Sequence, residues 1–279
     1  TRLVSDWSSD VCSSDLDQSF MNQQIQKEGR FKYIESGGSG DNLLLLHGLF
    51  GALSNFESII RHFGERYNVV VPILPIMELP LRKLSVMGLV EYVADFVEFK
   101  GYDGVHVLGN SLGGHVALLY VLQHPYKVQS VILTGSSGLF ESAMGTSFPK
   151  RGDKEFIRRK TQGTFFRPEV ASEELIDEVF DIVNDRNKAI RVIATAKSAV
   201  RHNLGDNLGS ITAPVLLIWG KDDQITPAFV AEKFHELLPD SRLIFINECG
   251  HAPMMEHPEL FNQYLEAFLV EVAAAKVPA

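Results

Sequence analysis

The sequence is short of cysteine, of positive charge and of long apolar runs. Only Cys12 and Cys249 occur among its 279 residues, and their different surroundings argue against a structural disulfide, so a cytoplasmic setting is expected. Lysine and arginine number 26 against 35 acidic residues, a net charge of −9 that argues against a nucleic-acid partner or an anionic membrane. No apolar run could span a bilayer.

The sequence also has no cofactor or metal motif. It contains neither a G-x-G-x-x-G dinucleotide fingerprint nor histidine and cysteine at the spacing of zinc ligands. We therefore expect a function without cofactor or metal, on a chain long enough for one large domain. The oligomeric state is left open.

The first 20 residues differ from the rest of the chain. Residues 1–16 repeat Ser-Ser-Asp and have neither the regions of a signal peptide nor an amphipathic period. They resemble translated adapter or cloning sequence, with Met21 as the native start. A natural disordered tail is the alternative, and neither interpretation gives residues 1–20 a function.

From residue 24 onward, apolar runs typical of buried strands alternate with stretches of helical period. Helices of this length between strands predict a mostly parallel, doubly wound sheet with helices on both faces, and thus the α/β class. Ligands of such sheets bind at the carboxyl ends of the strands. The predicted strands are 31–36, 42–46, 69–71, 105–108, 128–133, 214–219 and 241–246.

Residues 139–208 interrupt this alternation. They contain no convincing strand, are rich in charge, and have helical period through 175–183 and 189–200. We interpret them as a helical cap on a core formed by residues 21–138 and 209–279. The alternative is a solvated helical hairpin with no role at the site.

The stretch Gly109-Asn110-Ser111-Leu112-Gly113 matches the G-x-S-x-G nucleophile elbow, with a strand pattern before it and a helical pattern after it. A serine on so sharp a turn takes strained backbone angles, and small residues two positions away avoid collisions. The amides that begin the next helix suit an anion forming on a carbonyl oxygen. Mere turn chemistry is the alternative.

A serine hydroxyl needs a base within hydrogen-bond reach and a third group to orient that base. In one known arrangement the acid and then the histidine follow the serine along the chain. Asp223 and His251 each follow a predicted strand, so both are expected at the same sheet edge as Ser111. Asp222 is the competing acid.

Four motifs together resemble the α/β-hydrolase superfamily from about residue 24 to the C-terminus. The resemblance implies that fold, with Ser111 as nucleophile, His251 as general base and acid, and Asp223 as the orienting carboxylate, which the family spacing favours over Asp222. In the family's order, the motifs are His47-Gly48, Gly109-Asn110-Ser111-Leu112-Gly113, Gly220-x-x-Asp223-x-x-x-Pro227, and Gly250-His251 followed by Glu256-x-Pro258.

The resemblance also implies an oxyanion hole of two backbone N–H groups. One is expected from Leu112 and the other from the loop after His47, with Leu49 as the choice and Phe50 as the alternative. Phe50 and Asn110 are expected to line the substrate pocket. His47 shapes the turn without taking a proton in the reaction.

The family commonly has an aspartate and a glycine-rich turn after the third core strand. Residues 72–77 read Pro-Ile-Leu-Pro-Ile-Met here, so we expect a more apolar pocket wall.

These residues predict a serine hydrolase that cleaves carboxylic esters of small to medium acyl substrates through an acyl-enzyme. A serine nucleophile argues against dehalogenase or epoxide hydrolase chemistry, for which relatives use a carboxylate.

Three alternatives remain open. The first is a carbon–carbon hydrolase of ring-fission diketones, which the elbow sequence and the cap resemble. Those relatives carry an aromatic residue after the catalytic histidine, where this chain has Ala252, and a cap arginine, for which Arg167 and Arg186 are candidates. The other two are lipase-like action on long acyl chains and a non-catalytic binding protein.

Overall fold

The computed structural model of the chain describes residues 25–51, 53–140 and 152–275, so the predicted extension, residues 1–20, lies outside the described residues. Within those ranges the chain forms eight strands and nine α-helices. The strands are β1 (Gln26–Glu28), β2 (Phe31–Glu35), β3 (Asn42–Leu46), β4 (Asn68–Pro72), β5 (Val105–Asn110), β6 (Val128–Thr134), β7 (Val215–Gly220) and β8 (Ser241–Ile246). The helices are α1 (Glu57–Phe63), α2 (Val86–Phe99), α3 (Leu112–Gln123), α4 (Lys154–Gln162), α5 (Glu173–Asn184), α6 (Arg186–Arg201), α7 (Ala228–Leu237), α8 (Pro253–Glu256) and α9 (Pro258–Ala275). Short 3₁₀ turns cover Leu53–Phe56, Pro125–Lys127, Pro168–Val170 and Leu208–Ser210.

All eight strands join one sheet in the order β1-β2-β4-β3-β5-β6-β7-β8. Strand β2 pairs antiparallel with β1 and β4, and the remaining pairs are parallel. The predicted mostly parallel sheet is therefore confirmed. Since parallel strands end at a common edge, the loops after β3, β5, β7 and β8 emerge on one side of the molecule.

Both faces of the sheet are covered, as the continuous apolar strand runs predict. Successive residues of β3 point to opposite faces: Leu44 and Leu46 pack with α2, α3 and α7, whereas Leu43 and Leu45 pack with α1 and α9. Helix α3 is buried on every side from Leu112 to Val121 because it lies between the sheet and its neighbours.

Between β6 and β7 the chain leaves the sheet for α4, α5 and α6, which we call the inserted helices. The two ends of the segment between β6 and β7 lie side by side just after β6. The Leu204 N–H donates to the Gly138 carbonyl over 2.8 Å, and the Asn203 side chain donates to the Leu139 carbonyl.

Two local predictions differ from the structure. The sequence pattern predicts Ser54 as the cap of α1, but a 3₁₀ turn precedes that helix and its N-cap is Phe56, without a side-chain bond. The pattern also predicts a loop over residues 247–253, but at Pro253 the chain already enters the short helix α8, because proline suits a first helical position.

His115 on α3 provides a test of this packing by pH. Its side chain is fully buried, Nε2–H donates to the His202 carbonyl over 2.8 Å, and burial lowers the pKa of the ring to about 4. A histidine of lowered pKa stays neutral in the folded protein while the unfolded chain takes up a proton below pH 6.5. Stability is therefore present above that pH and lost as the pH falls towards 4, by about 3 kcal/mol at pH 4. Urea unfolding should show a shallower loss in His115→Gln, and equal pH dependences would contradict the assignment.

Candidate active site

Ser111 occupies a strained turn between β5 and α3. Its φ of 55° and ψ of −120° are unusual for a residue with a side chain. A Cβ on Gly109 would lie 2.4 Å from the Gly113 carbonyl oxygen, and one on Gly113 would lie 1.9 Å from the Leu46 carbonyl oxygen. Only glycine fits these two positions, and the turn they allow presents Ser111 at the carboxyl end of β5.

Asp223 and His251 meet at the same edge of the sheet. Asp223 follows β7 and His251 follows β8, and the His251 Nδ1–H donates to Asp223 Oδ2 over 2.8 Å. Both side chains are buried, at 2% and 6% exposure for the residues. Asp222 is exposed, so Asp223 is the neighbour that contacts the histidine.

The Asp223 carboxylate accepts three further hydrogen bonds. Oδ1 accepts from the N–H groups of Ile225 at 2.8 Å and Thr226 at 2.9 Å, and Oδ2 accepts from the Thr226 hydroxyl at 2.8 Å. Burial alone would raise the pKa of the carboxyl, but the adjacent His251 ring and these donors outweigh it and hold the pKa below its usual value. Asp223 therefore stays ionised and fixes the proton of His251 on Nδ1, which leaves Nε2 as the basic nitrogen.

Asn110 connects the elbow to the loop between β8 and α8, residues 247–252, which carries His251 and which we call the histidine loop. Its side-chain NH₂ donates to the carbonyl oxygens of Thr134 and His251, each at 3.1 Å. Asn110 also borders a cavity beside Ser111, but this NH₂ is already bonded within the protein.

The backbone amides of Leu49 and Leu112 are the expected oxyanion donors, and both residues border the cavity beside Ser111. Neither amide donates a hydrogen bond to another group in the part of the chain that the structure describes. Leu112 is the first residue of α3, where N–H groups have no intrahelical acceptor. Phe50 also lines the cavity, so the structure leaves its amide as the alternative to Leu49.

His47 fixes the loop after β3 through two hydrogen bonds, which together require a single tautomer of its ring. Its Nδ1–H donates to the Gly48 carbonyl at 2.8 Å, and its Nε2 accepts the Leu74 N–H at 2.9 Å. Burial lowers the pKa of the ring, so His47 stays neutral. Its hydrogen bonds to two loops agree with the expectation that it shapes the turn.

A cavity of about 590 Å³ opens beside Ser111 and His251. Loops of the sheet edge form its floor, and the inserted helices form much of its wall. The described residues that line it include one cation, Lys160, and no carboxylate. Its apolar wall from the inserted helices comprises Phe156, Ile157, Leu175, Val179, Val183, Ala196, Ala199 and Val200.

Three expectations about this wall are corrected. Residues 72–77 do not border the cavity, because Leu74 and Ile76 turn into the core beneath it. Arg167 does not border it either, since its guanidinium donates to the Glu256 carbonyl. Arg186 lies exposed at the start of α6, away from the described lining.

Thr226 is a site residue that the sequence pattern missed. Besides its bonds to Asp223, its hydroxyl lies 3.3 Å from His251 Nδ1, and its carbonyl accepts the Trp219 indole N–H at 2.7 Å. A hydroxyl residue three positions after the acid and just before a helix is the signal that could have identified it.

Replacing Thr226 with valine should keep the shape and remove the hydroxyl donor. A hydrogen bond to a charged group contributes roughly 1.5–3 kcal/mol, so we expect kcat for an ester to fall at least about tenfold. The matched variant Thr226→Ser retains the hydroxyl and should retain most of the rate. Steady-state kinetics decide, and a wild-type kcat in the valine variant would contradict the assignment.

No group of three or more histidine, cysteine, aspartate or glutamate side chains in the described ranges is arranged to hold a metal ion. Among the helices described, none is long and apolar enough to cross a membrane.

Comparisons with known proteins agree with the fold. A family model described as the alpha/beta hydrolase family matches residues 43–264. The crystal structure of MGS-MChE2, an alpha/beta hydrolase enzyme from the metagenome of sediments of the lagoon of Mar Chica, Morocco, is 43% identical, with 89% of this chain and 98% of that one covered and a TM-score of 0.74.

Two curated proteins are similar at lower identity. The pimeloyl-[acyl-carrier protein] methyl ester esterase of Nitrosomonas europaea is 28% identical over 257 residues, which cover 84% of this chain and 98% of the esterase. The 2-hydroxy-6-oxononadienedioate/2-hydroxy-6-oxononatrienedioate hydrolase 1 of Dechloromonas aromatica is 28% identical over 278 residues, covering 87% of this chain and 93% of that hydrolase.

Proposed function

Because the chain belongs to the alpha/beta hydrolase family and is a hydrolase, we propose that it cleaves carboxylic esters of small to medium acyl chains through an acyl-enzyme on Ser111. The observation that carries this proposal is the bonded Asp223–His251 pair at the cavity that Ser111 also borders. A nucleophile, a base and an orienting acid at one apolar cavity are the parts that acyl transfer requires.

Each residue has a defined part in the reaction. His251 Nε2 takes the proton of the Ser111 hydroxyl as the oxygen attacks the ester carbonyl, and Asp223 stabilises the imidazolium that forms. The Leu112 and Leu49 amides stabilise the oxyanion. His251 returns the proton to the leaving alcohol and then activates the water that releases the acid.

The inserted helices serve as the cap, within the proposed boundaries 139–208. They supply the apolar wall, which suits an acyl chain, while the polar groups of the floor sit where the carbonyl must react. We also propose a cytoplasmic setting, which Cys249 supports because it is free of any disulfide in the part of the chain that the structure describes.

The test combines turnover with covalent labelling. Purified protein should hydrolyse p-nitrophenyl butyrate. A fluorophosphonate should abolish that turnover, because the Ser111 oxygen displaces its fluoride and the peptide that contains Ser111 gains the mass of the phosphonyl group. Turnover that survives complete labelling, or a label on another residue, would contradict the proposal.

A second candidate function rests on the charge of the cavity wall. The Dechloromonas relative is named for cleavage of a dioate, and the one cation among the described lining residues, Lys160, could face such an acid group. We therefore propose carbon–carbon hydrolysis of a ring-fission diketone as the alternative activity. Turnover of such a diketone together with no ester hydrolysis would establish it in place of the esterase.

Lys160→Gln distinguishes charged from neutral substrates under either activity. An exposed ion pair contributes about 0.2–1 kcal/mol, so kcat/KM for a half-ester with a distal carboxylate should fall up to about fivefold at low salt. The value for the uncharged ester of equal length should not change. Equal losses on both substrates would show that Lys160 acts through packing and not through its charge.

A further inference from the structure

The backbone of His251 is bonded to the inserted helices as well as to the sheet. Its N–H donates to the carbonyl oxygen of Thr164 over 2.9 Å. Thr164 begins residues 164–167, which we call the docking segment and which connect α4 to the 3₁₀ turn Pro168–Val170. On its other side, the His251 carbonyl accepts the Asn110 NH₂. The backbone of the proposed base is thus held between insertion and core.

One buried carboxylate joins the docking segment to the histidine loop. Glu256 is 1% exposed, and its Oε1 accepts the N–H of Gly250, the residue before His251, at 2.6 Å. Its Oε2 accepts the N–H groups of Phe166 at 2.8 Å and Arg167 at 3.2 Å. Because each oxygen serves a different segment, separating the two segments would strip donors from a buried charge, which is costly.

The two segments touch closely where they meet. A Cβ on Gly250 would lie 2.6 Å from the Thr164 carbonyl oxygen and 2.8 Å from the Phe166 nitrogen. The Arg167 guanidinium adds a bond to the carbonyl oxygen of Glu256 itself. A side chain at position 250 would push the docking segment away from His251.

We propose that Glu256 is a positioning residue for His251, which acts by bonding the docking segment of the insertion to the histidine loop. The role rests on the proposed function of His251 as the base. Glu256 fixes the Gly250 amide and, through the docking segment, the Thr164 carbonyl that holds the next amide. The placement of the inserted helices therefore determines the placement of the base.

The test compares Glu256→Gln with Glu271→Gln. The first puts an NH₂ group against backbone N–H donors, whereas Glu271 pairs with Arg242 on the surface, where loss of a pair has little effect. A misplaced catalytic group costs up to about 100-fold, so we expect kcat per active site to fall roughly 10- to 100-fold in Glu256→Gln, with KM nearly unchanged. Active sites are counted by fluorophosphonate labelling to completion.

A proton NMR signature separates positioning from stability. The His251 Nδ1–H proton bonded to Asp223 should resonate far downfield in the wild type and in Glu271→Gln, and should shift or broaden in folded Glu256→Gln. A wild-type kcat per site with an unchanged resonance would overturn the proposal, as would a rise in KM alone.

If Glu256→Gln does not fold, Arg167→Ala decides. It leaves the carboxylate in place and removes the guanidinium bond, so kcat should fall about three- to tenfold, and a wild-type kcat in this folded variant would overturn the proposal.

The resonance requires no turnover. A wild type that neither hydrolyses the ester nor takes the label would sink the proposed function, while the resonance would still test the placement of His251.

Discussion

Ser111→Ala should lower kcat for p-nitrophenyl butyrate by about 10⁴- to 10⁶-fold, because the attacking oxygen is removed while the His251–Asp223 pair stays intact. The substituted side chain keeps its Cβ and the strained φ of 55°, so the turn and the free energy of unfolding should change little. We expect the residual rate to be that of water attacking a carbonyl held by the two amides proposed for the oxyanion, those of Leu49 and Leu112. Stopped and continuous assays over long incubations measure it.

The matched control for this variant is Ser137→Ala. Ser137 also lines the cavity, and its hydroxyl donates to the Ser111 carbonyl at 3.4 Å, so it is the second serine among the described lining residues. Its loss should leave most of the turnover. If Ser137→Ala abolishes activity and Ser111→Ala keeps it, the nucleophile has been assigned to the wrong serine.

Asp223→Asn should lower kcat by about 10⁴-fold. The NH₂ of the asparagine would donate to His251 Nδ1 and so place the ring proton on Nε2, where it blocks removal of the serine proton. The amide oxygen would also be left to satisfy the Ile225 and Thr226 donors alone.

The same variant should change stability towards acid. Because the pKa of Asp223 is lowered in the folded protein, its ionised form stabilises the fold above the ordinary carboxyl pKa, and that stability is lost as the pH falls through the lowered value. The asparagine variant should lack this acid dependence. Asp222→Asn is the control of equal charge change, and a loss of activity in it equal to that of Asp223→Asn would contradict the choice of acid.

The meeting of Asp223 and His251 could be predicted because parallel strands end at one edge. Each residue lies in the loop after its strand, β7 or β8. The alternation of apolar runs with helices predicts that these strands are parallel, although it does not predict their order in the sheet. The elbow at Ser111 could also be predicted, because its strand, glycines and helix are adjacent in the sequence. The roles of these three residues remain predictions until the variants are measured.

Other features depend on segments far apart in the chain. Glu256 was visible as part of a motif, but its partners at Phe166 and Arg167 lie about 90 positions away and are backbone groups, which no residue type announces. Helix α4 was hidden for another reason: it is polar and highly charged, and it has too few apolar residues to stand out, with only Ile157 and Thr161 buried. Propensity and an Asp153 cap, not an apolar stripe, mark it.

Residues 72–77 show a limit of reasoning by resemblance. Their departure from the family pattern was interpreted as a change in the pocket wall. In the structure the Leu74 N–H donates to His47, and the side chains of Leu74 and Ile76 enter the core. The departure from the family pattern therefore changes the packing behind the loop after β3. The amino-acid sequence shows where the chain departs from the family pattern, but only the packing shows which way those side chains point.

The adjacent ends of the inserted helices bear on how such enzymes can be recombined. Since the Leu204 N–H donates to the Gly138 carbonyl, the segment between these residues could be exchanged between relatives at two neighbouring points without distorting β6 or β7. The docking segment makes that exchange incomplete, because its partners Gly250 and Glu256 lie in the other parent's sequence. A working chimera therefore needs a histidine loop whose parent has glycine and glutamate at the positions of Gly250 and Glu256.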